Sequence, residues 1–443
     1  MSDHGTKILH IMPHLGGGAG RVVLNYLSAG QNDPLFIHQI ATLDFANQKA
    51  LDIATAIGVT VSDEMSQHPE RLLELIAEAD IVLMHWWNHP LLYDFLVRST
   101  LPPCRLIMWS HVAGFTPPYV FTKKILNYSD WFVFTTPLSW QAKEVRALSP
   151  QRQQKFRSIW STAGINYVEN VKPVEHKGFN VGYIGTVDYA KLHPDFLQIC
   201  AKIDIPGVKF IVCGGSKEAI IKQEAEDLGI ADKFNFTGEV SDIKKYLSIF
   251  DVFGYPLSPN HYGTCDQVLA ESMAAGVVPV VLDNPMEKNM IKDEITGLVA
   301  KDATAYVEAI VNLYKNNDLL LKLSNNAREY AKKVFSVENM AEDWQKLFLE
   351  VLTLQKSIKK WPISITGEIL PKDIFLESLG KYGLPFIKYC QANSDQEKEK
   401  AIKDIKSLGK LSNWRSSSKG TVHQYLSFFL SDKCLAEWSL LMK

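Results

Sequence analysis

Two carboxylates, Asp266 and Glu271, fall in the stretch Phe250–Leu298, which reads as a strand, a Gly-containing loop, a helix and a second apolar strand. A carboxylate one or two turns into such a helix can accept hydrogen bonds from a vicinal diol, as acidic residues do for ribose in dinucleotide folds. That is the role expected of Glu271. Asp266 stands where the helix begins. There a carboxylate aimed at a ligand and a plain N-cap are equal readings, since Asp caps well. Thr264 and the N–H groups of Cys265 and Asp266 share this helix start and can reach phosphate or sugar hydroxyls.

A second loop, Gly16-Gly17-Gly18-Ala19-Gly20-Arg21, follows the apolar run Lys7–Met12 and opens another helix. Glycines let backbone N–H groups approach an anion, and a helix N-terminus adds partial positive charge. The loop is not G-x-G-x-x-G, because Arg21 takes the place of the third glycine, and no G-K-[ST] follows. A turn with no ligand is the alternative. His111 ends the apolar run RLIMWS. From a strand's carboxyl end it can hydrogen-bond a sugar hydroxyl or steady a leaving group, or serve only as a satisfied structural group. His85 and His89 have the i, i+4 spacing of a helical metal pair. Pro90 and the preceding run DIVLM make HWWNHP a loop instead, so no metal site is assigned. His85, Trp86 and Trp87 are expected on the acceptor side, the tryptophans as stacking faces for a sugar. Core packing of the tryptophans is the equal alternative.

These residues need strand ends and helix starts to hold them. The first part of the chain alternates near-continuous apolar runs (KILHIM, LFIHQIATL, DIVLMHW, RLIMWSH, WFVFTT) with helical patterns, which implies a parallel sheet covered on both faces. Around residue 165 the chain turns polar, and the series starts again with FNVGYIG, VKFIVCGG, KFNFTG, DVFGYP and GVVPVVL. Three parts follow: a Rossmann-like domain over 1–165, a second Rossmann-like domain over 166–357, and a helical extension over 358–443 containing the flexible loop WRSSSKG. At 443 residues the chain is too long for a single core. A net charge of -2 offers no basic excess for a nucleic-acid partner. No run approaches the ~20 apolar residues that span a bilayer, and the amino terminus lacks the basic and apolar regions of a secretory signal. The cysteines are scattered without a C-x-x-C pair, which points to reduced thiols and a cytoplasmic protein.

Taken with the context of His111 and the segment GYIGTVDYAKLHPDF, these motifs resemble glycosyltransferase family 4 over roughly residues 5–356. The resemblance implies α/β GT-B architecture, with two doubly wound Rossmann-like domains facing a cleft, 1–165 on the acceptor side and 166–357 holding the nucleotide sugar. It also implies a retaining transfer of sugar from a nucleoside-diphosphate sugar to a hydroxyl on a glycan, lipid-linked or protein acceptor, in surface polysaccharide or glycoconjugate synthesis. By the same resemblance, Gly16, Gly17 and Gly18 lie near the donor diphosphate and Lys191 stabilises it as it leaves. Gly214 and Val240 border the nucleotide, and Glu271 holds the ribose. The chain departs from the family twice. Thr186 replaces an Arg, and Gly263 replaces the first of two glutamates, so Asp266 becomes the candidate displaced carboxylate for the sugar. No D-x-D occurs, and metal-independent transfer with no cofactor beyond the co-substrate is expected. Two other readings stay open: a nucleotide-sugar epimerase on the same fold, and a non-catalytic GT-B subunit joined to a protein partner through its helical tail. Peripheral contact with the cytoplasmic membrane face also stays open.

Overall fold

The computed structural model describes residues 5–31, 35–259, 261, 263–363, 367–415, 417 and 419–442. Asn260 and Tyr262 of the Phe250–Leu298 segment, and Ser416 and Ser418 of the expected WRSSSKG loop, lie outside the described residues. The chain divides into two compact units, one of residues 1–163 with 340–443, the other of residues 164–339.

In the first unit, strands β1 (Thr6–Leu15), β2 (Phe36–Ala46), β3 (Thr60–Ser62) and β4 (Ile81–Trp86) precede β5 (Thr100–Cys104), β6 (Leu106–Ser110), β7 (Trp131–Phe134) and β8 (Phe156–Ser158). All but β5 form one parallel sheet, ordered β3-β2-β1-β4-β6-β7-β8. The central strands β4, β6 and β7 are buried along their whole length, as a parallel sheet with both faces covered requires. β1 runs three residues past the expected strand. Its pairing with β2 resumes beyond a register shift at Met12/His14, so His14 and Leu15 are strand and not loop. The helix Gly17–Ala29 then starts at once. At Gly20 an added Cβ would stand 3.2 Å from the Leu15 carbonyl carbon, so a small residue is needed where helix and strand meet.

The helical tail is part of this first unit. β15 (Ser357–Lys360), after the helix Val337–Leu352, pairs antiparallel with β5. The helices Pro371–Leu379, Leu384–Gln391, Asp395–Gly409, Val422–Phe428 and Lys433–Leu441 bury Phe375, Phe386, Tyr425 and Trp438 among themselves. Buried Asn88 fastens them to the sheet. Its Nδ2 donates to Ser378 Oγ at 3.1 Å, and its Oδ1 accepts from Tyr425 OH at 3.0 Å. An unmade bond at such a buried amide costs about 1–3 kcal/mol, so the tail is held specifically as well as by its apolar faces. Among the described residues no helix is long and apolar enough to cross a membrane.

The second unit contains β9 (Phe179–Ile184), β10 (Val208–Cys213), β11 (Phe234–Gly238), β12 (Val252–Tyr255), β13 (Val278–Leu282) and β14 (Leu298–Ala300). They form a parallel sheet ordered β11-β10-β9-β12-β13-β14. In both sheets the first strand of the series sits beside the fourth, so the winding reverses there. Loops at the carboxyl ends of those two strands are where doubly wound folds receive ligands.

Candidate functional site

In the second unit the loops after β9 and β12 are stitched together. Ser258 N donates to Lys191 O at 2.8 Å, and His193 N donates to Pro256 O at 2.9 Å. This brings the buried Lys191 side chain to the start of the helix Gln267–Ala274. Its Nζ lies 3.7 Å from Asp266 Oδ2 and 5.3 Å from the centre of the Tyr255 ring. Tyr255 OH donates to the same Asp266 oxygen at 3.0 Å. Burial, and then the Asp266 charge, push the Tyr255 phenol far up and keep it a neutral donor. Asp266 occupies the N-cap position, yet its side chain makes no cap hydrogen bond. The carboxylate turns to Lys191 and Tyr255 instead.

Glycine permits the close approach of backbones at this edge. A Cβ on Gly214, whose φ is +146°, would stand 1.8 Å from the Gly185 carbonyl oxygen, so only glycine lets β9 and β10 end together. Thr186 follows, half-buried, and its carbonyl accepts from Tyr183 OH at 2.8 Å. Thr264 is half-buried and Cys265 is buried. Val240 stands half-buried after β11, two strands away from β9. Glu271 is 1% exposed, and its Oε1 accepts from Tyr167 OH at 2.7 Å.

The altered loop has a support that its spacing does not reveal. His261 Nδ1 accepts from Gly263 N at 3.0 Å, and its Nε2 lies 3.0 Å from Glu287 Oε1. Accepting at Nδ1 leaves Nε2–H as the donor to the buried Glu287. Sequence reasoning missed Tyr167, Tyr255, His261 and Glu287. A visible signal was the presence of His261 and Glu287 within the motif-bearing stretch.

The first unit's carboxyl edge has a different character. His85 and Trp86, adjacent in β4, point to opposite sides of the sheet, as strand alternation dictates. Trp86 is fully buried against Tyr93, Phe121 and Phe132, and is core. Trp87 is 6% exposed, its ring within 6.2 Å of His14, His89 and His111, so it too packs rather than offering an open stacking face. His85 is fully buried and lines no surface. Its Nδ1 lies 2.9 Å from His111 Nε2, and its Nε2 lies 3.0 Å from His10 Nδ1. His10 Nε2 in turn lies 2.9 Å from His38 Nδ1. Burial, then neighbouring imidazoles, hold His10 and His85 well below the usual histidine range. Burial brings His38 down to about 4, and burial with Lys419 nearby brings the half-buried His111 down to about 3. All four rings are neutral at pH 7.

Gly17 is left-handed, with φ +59°, and neither Gly17 nor Gly18 has a neighbour that an added Cβ would meet. The glycines leave open space at the helix start. Among the described residues, two sets of three ligand atoms lie within 4.8 Å of one another: His14, Asp44 and His89 in the first unit, and His261, Asp266 and Glu287 in the second. In the second set Lys191 and the His261–Glu287 pair already engage the carboxylates. In the first, burial raises the Asp44 carboxyl, with Asp63 and Glu64 adding to it, and lowers His89 to about 3. His85 and His89 share no helix, since β4 ends at Trp86 and the next helix begins at Pro90.

Residues 169–334 match the family model described as Glycosyl transferases group 1. A stretch of 169 residues, 37% of the chain, is 24% identical to N-acetyl-alpha-D-glucosaminyl L-malate synthase of Bacillus anthracis, and spans 44% of that protein. Among solved structures, Anabaena Alr3699/HepE in complex with UDP and glucose superimposes with a TM-score of 0.62 at 14% identity, covering 78% of this chain and 100% of that one. A glycosyltransferase from Rickettsia africae gives a TM-score of 0.64 at 14% identity, covering 79% and 99%. The fold is therefore GT-B, built of two parallel-sheet Rossmann-like domains with a helical C-terminal part. Its second domain carries the Glycosyl transferases group 1 match.

Proposed function

We propose that this protein is a retaining glycosyltransferase of the family 4 type, moving a sugar from a nucleoside-diphosphate sugar to a hydroxyl acceptor. The observation that carries this reading is the buried Lys191, held beside Asp266 and Tyr255 at the winding reversal of the second sheet. A buried cation at that point suits a diphosphate whose negative charge grows as it leaves. Glu271, in the same helix as the Asp266 cap, would hold the ribose diol. Asp266 would meet the transferred sugar in place of the glutamate absent at Gly263, with Thr264 and the N–H groups at the helix start beside it.

Thr186 offers a hydrogen bond but no charge, so Lys191 carries the cationic role that the family shares between two side chains. The leaving diphosphate would be the final destination of the acceptor proton. Lys191 supplies charge at the diphosphate, and we propose transfer without a metal cofactor. Gly214 and Val240 would border the nucleotide. In the first unit, Gly16, Gly17 and Gly18 would approach the donor's phosphate and sugar, and His111 would meet a sugar hydroxyl. A glycan, lipid-linked or protein acceptor, and a role in surface polysaccharide or glycoconjugate synthesis at the cytoplasmic membrane face, complete the proposal.

The test is product analysis with a panel of sugar nucleotides and a mixed glycan and lipid acceptor extract. Wild type is expected to release nucleoside diphosphate only with acceptor present, and Lys191→Ala to release almost none. Conversion of the sugar nucleotide without any acceptor would point to an epimerase instead.

A further inference from the structure

His38, His10, His85 and His111 come from four neighbouring strands or strand ends, and their offsets are regular. Ile8 pairs with His38, Ile11 with Met84, and His85 with Trp109. Each histidine in the order 38, 10, 85, 111 therefore lies two residues nearer the carboxyl end than the one before. An even offset keeps all four on one face of the sheet. They form a diagonal that ends at the carboxyl edge.

The links are hydrogen bonds and not stacked rings. For His10–His85 and His85–His111 the ring centres are 5.3 and 5.2 Å apart, with planes inclined by only 19° and 18°. Those separations exceed the N···N distances by about 2.3 Å, the distance taken up by the two half-rings, so each N···N vector lies along the line of centres. The links also share one polarity. His38 Nδ1 meets His10 Nε2, His10 Nδ1 meets His85 Nε2, and His85 Nδ1 meets His111 Nε2. A neutral imidazole has one donor and one acceptor nitrogen. Such a chain therefore satisfies every link in two ways only. With protons on every Nε2, His111 presents a lone pair at Nδ1; with protons on every Nδ1, it presents an N–H.

We propose that His38, His10, His85 and His111 form a head-to-tail proton relay, in which a proton accepted at His111 Nδ1 releases one at His38 Nε2. Burial makes an imidazolium at His111 costly, so it can take a proton only by passing one on. The catalytic use of the relay rests on the transferase reading; the coupling of its ends does not. In transfer, the acceptor O–H bond breaks as its oxygen bonds the anomeric carbon, and the diphosphate leaves with the electron pair of the old C–O bond. The hydroxyl proton goes to His111 Nδ1. The Nε2 protons of His111, His85 and His10 each move one link, and that of His38 goes to water. The reverse passage, with uptake from water at His38 and delivery from His111 to the departed diphosphate, restores the first state.

The test is nitrogen-15 NMR of histidine-labelled full-length protein, wild type against His38→Asn. Asn keeps a partner near the Nδ1 position but removes the Nε2 exit, and His38→Leu serves as a second variant should Asn unfold the chain. Wild type is expected to show His111 nitrogens averaged between two tautomers, and the variant to show one. Turnover should fall about tenfold or more, within the ~10²- to 10⁴-fold reach of general acid–base catalysis, with KM for the donor unchanged. Identical His111 signals in wild type and both variants would overturn the relay. Coupled tautomers with no transfer from any donor would retain the relay and overturn the transferase reading.

Discussion

The carboxyl edges of the two sheets have the same winding and opposite chemistry. In the first, the residues beside the reversal are imidazoles kept neutral by burial and bonded to one another. In the second, a buried lysine faces a carboxylate and a neutral phenol, with another carboxylate further along the same helix. The difference teaches that a doubly wound sheet supplies the position of a site and leaves its charge to be chosen. A charged edge suits a diphosphate, whereas a neutral hydrogen-bonding edge suits hydroxyl groups and a proton in transit.

The comparison can be broken first at its charge. Lys191→Ala is expected to lower turnover about 10²- to 10³-fold, the scale of losing one preorganised transition-state donor. Loss of similar size on replacing His111 but not Lys191 would put the charge-handling edge in the wrong unit. Glu271→Ala comes next. Removal of hydrogen bonds to a charged group costs about 1.5–3 kcal/mol, so donor affinity should weaken roughly tenfold to a hundredfold by calorimetry.

On the neutral edge, His10→Leu leaves nitrogens of His38 and His85 without their link. Unfolding by urea should show a loss of about 1–3 kcal/mol. Acid should act in the same place. The folded values of His38 and His111 lie at about 4 and about 3, below the ordinary 6.5. The unfolded chain thus binds more protons between those limits, and stability falls as pH drops from 6.5 toward 4. A melting midpoint flat across that range would contradict neutral buried rings. The smallest effect is expected from Tyr167→Phe, which removes one hydrogen bond to Glu271. At about 0.5–1.5 kcal/mol it should weaken donor affinity by roughly two- to thirteenfold.

The two edges also differed in how far they could be read beforehand. The second unit's site is local in sequence: Gly185 with Lys191, and Asp266 with Glu271, each fall within one strand–loop–helix step. Local motifs and the family resemblance pointed to these residues, and apolar runs exposed most strands of both sheets. The histidine chain joins residues separated by 28, 75 and 26 positions. Only strand order and register bring them together, and apolar runs specify neither. His85 was expected at the acceptor side because HWWNHP resembled a loop, whereas β4 runs through Trp86 and carries His85 inside. A histidine within each of KILHIM, LFIHQIA and DIVLMHW was a usable sign, since a polar group in a buried strand needs a partner. The helix Asn317–Val334 went unread, and β15 with it, a strand of four residues whose partner β5 lies far away in sequence. Asn88 shows why the attachment of the tail to the first unit was not legible. Its bonds to Ser378 and Tyr425 span 290 and 337 positions.

The most direct measurement is the thermal midpoint of the full chain titrated with uridine, guanosine, adenosine and thymidine diphosphate sugars, in wild type and in Lys191→Ala and Glu271→Ala. Saturation at a hundred times Kd adds about 2.7 kcal/mol to the folded state. At least one donor is expected to raise the wild-type midpoint by several degrees, with the shift lost in both variants. A donor that stabilises all three proteins equally, or no stabilisation of wild type by any of them, would contradict a nucleotide-sugar site built on Lys191 and Glu271.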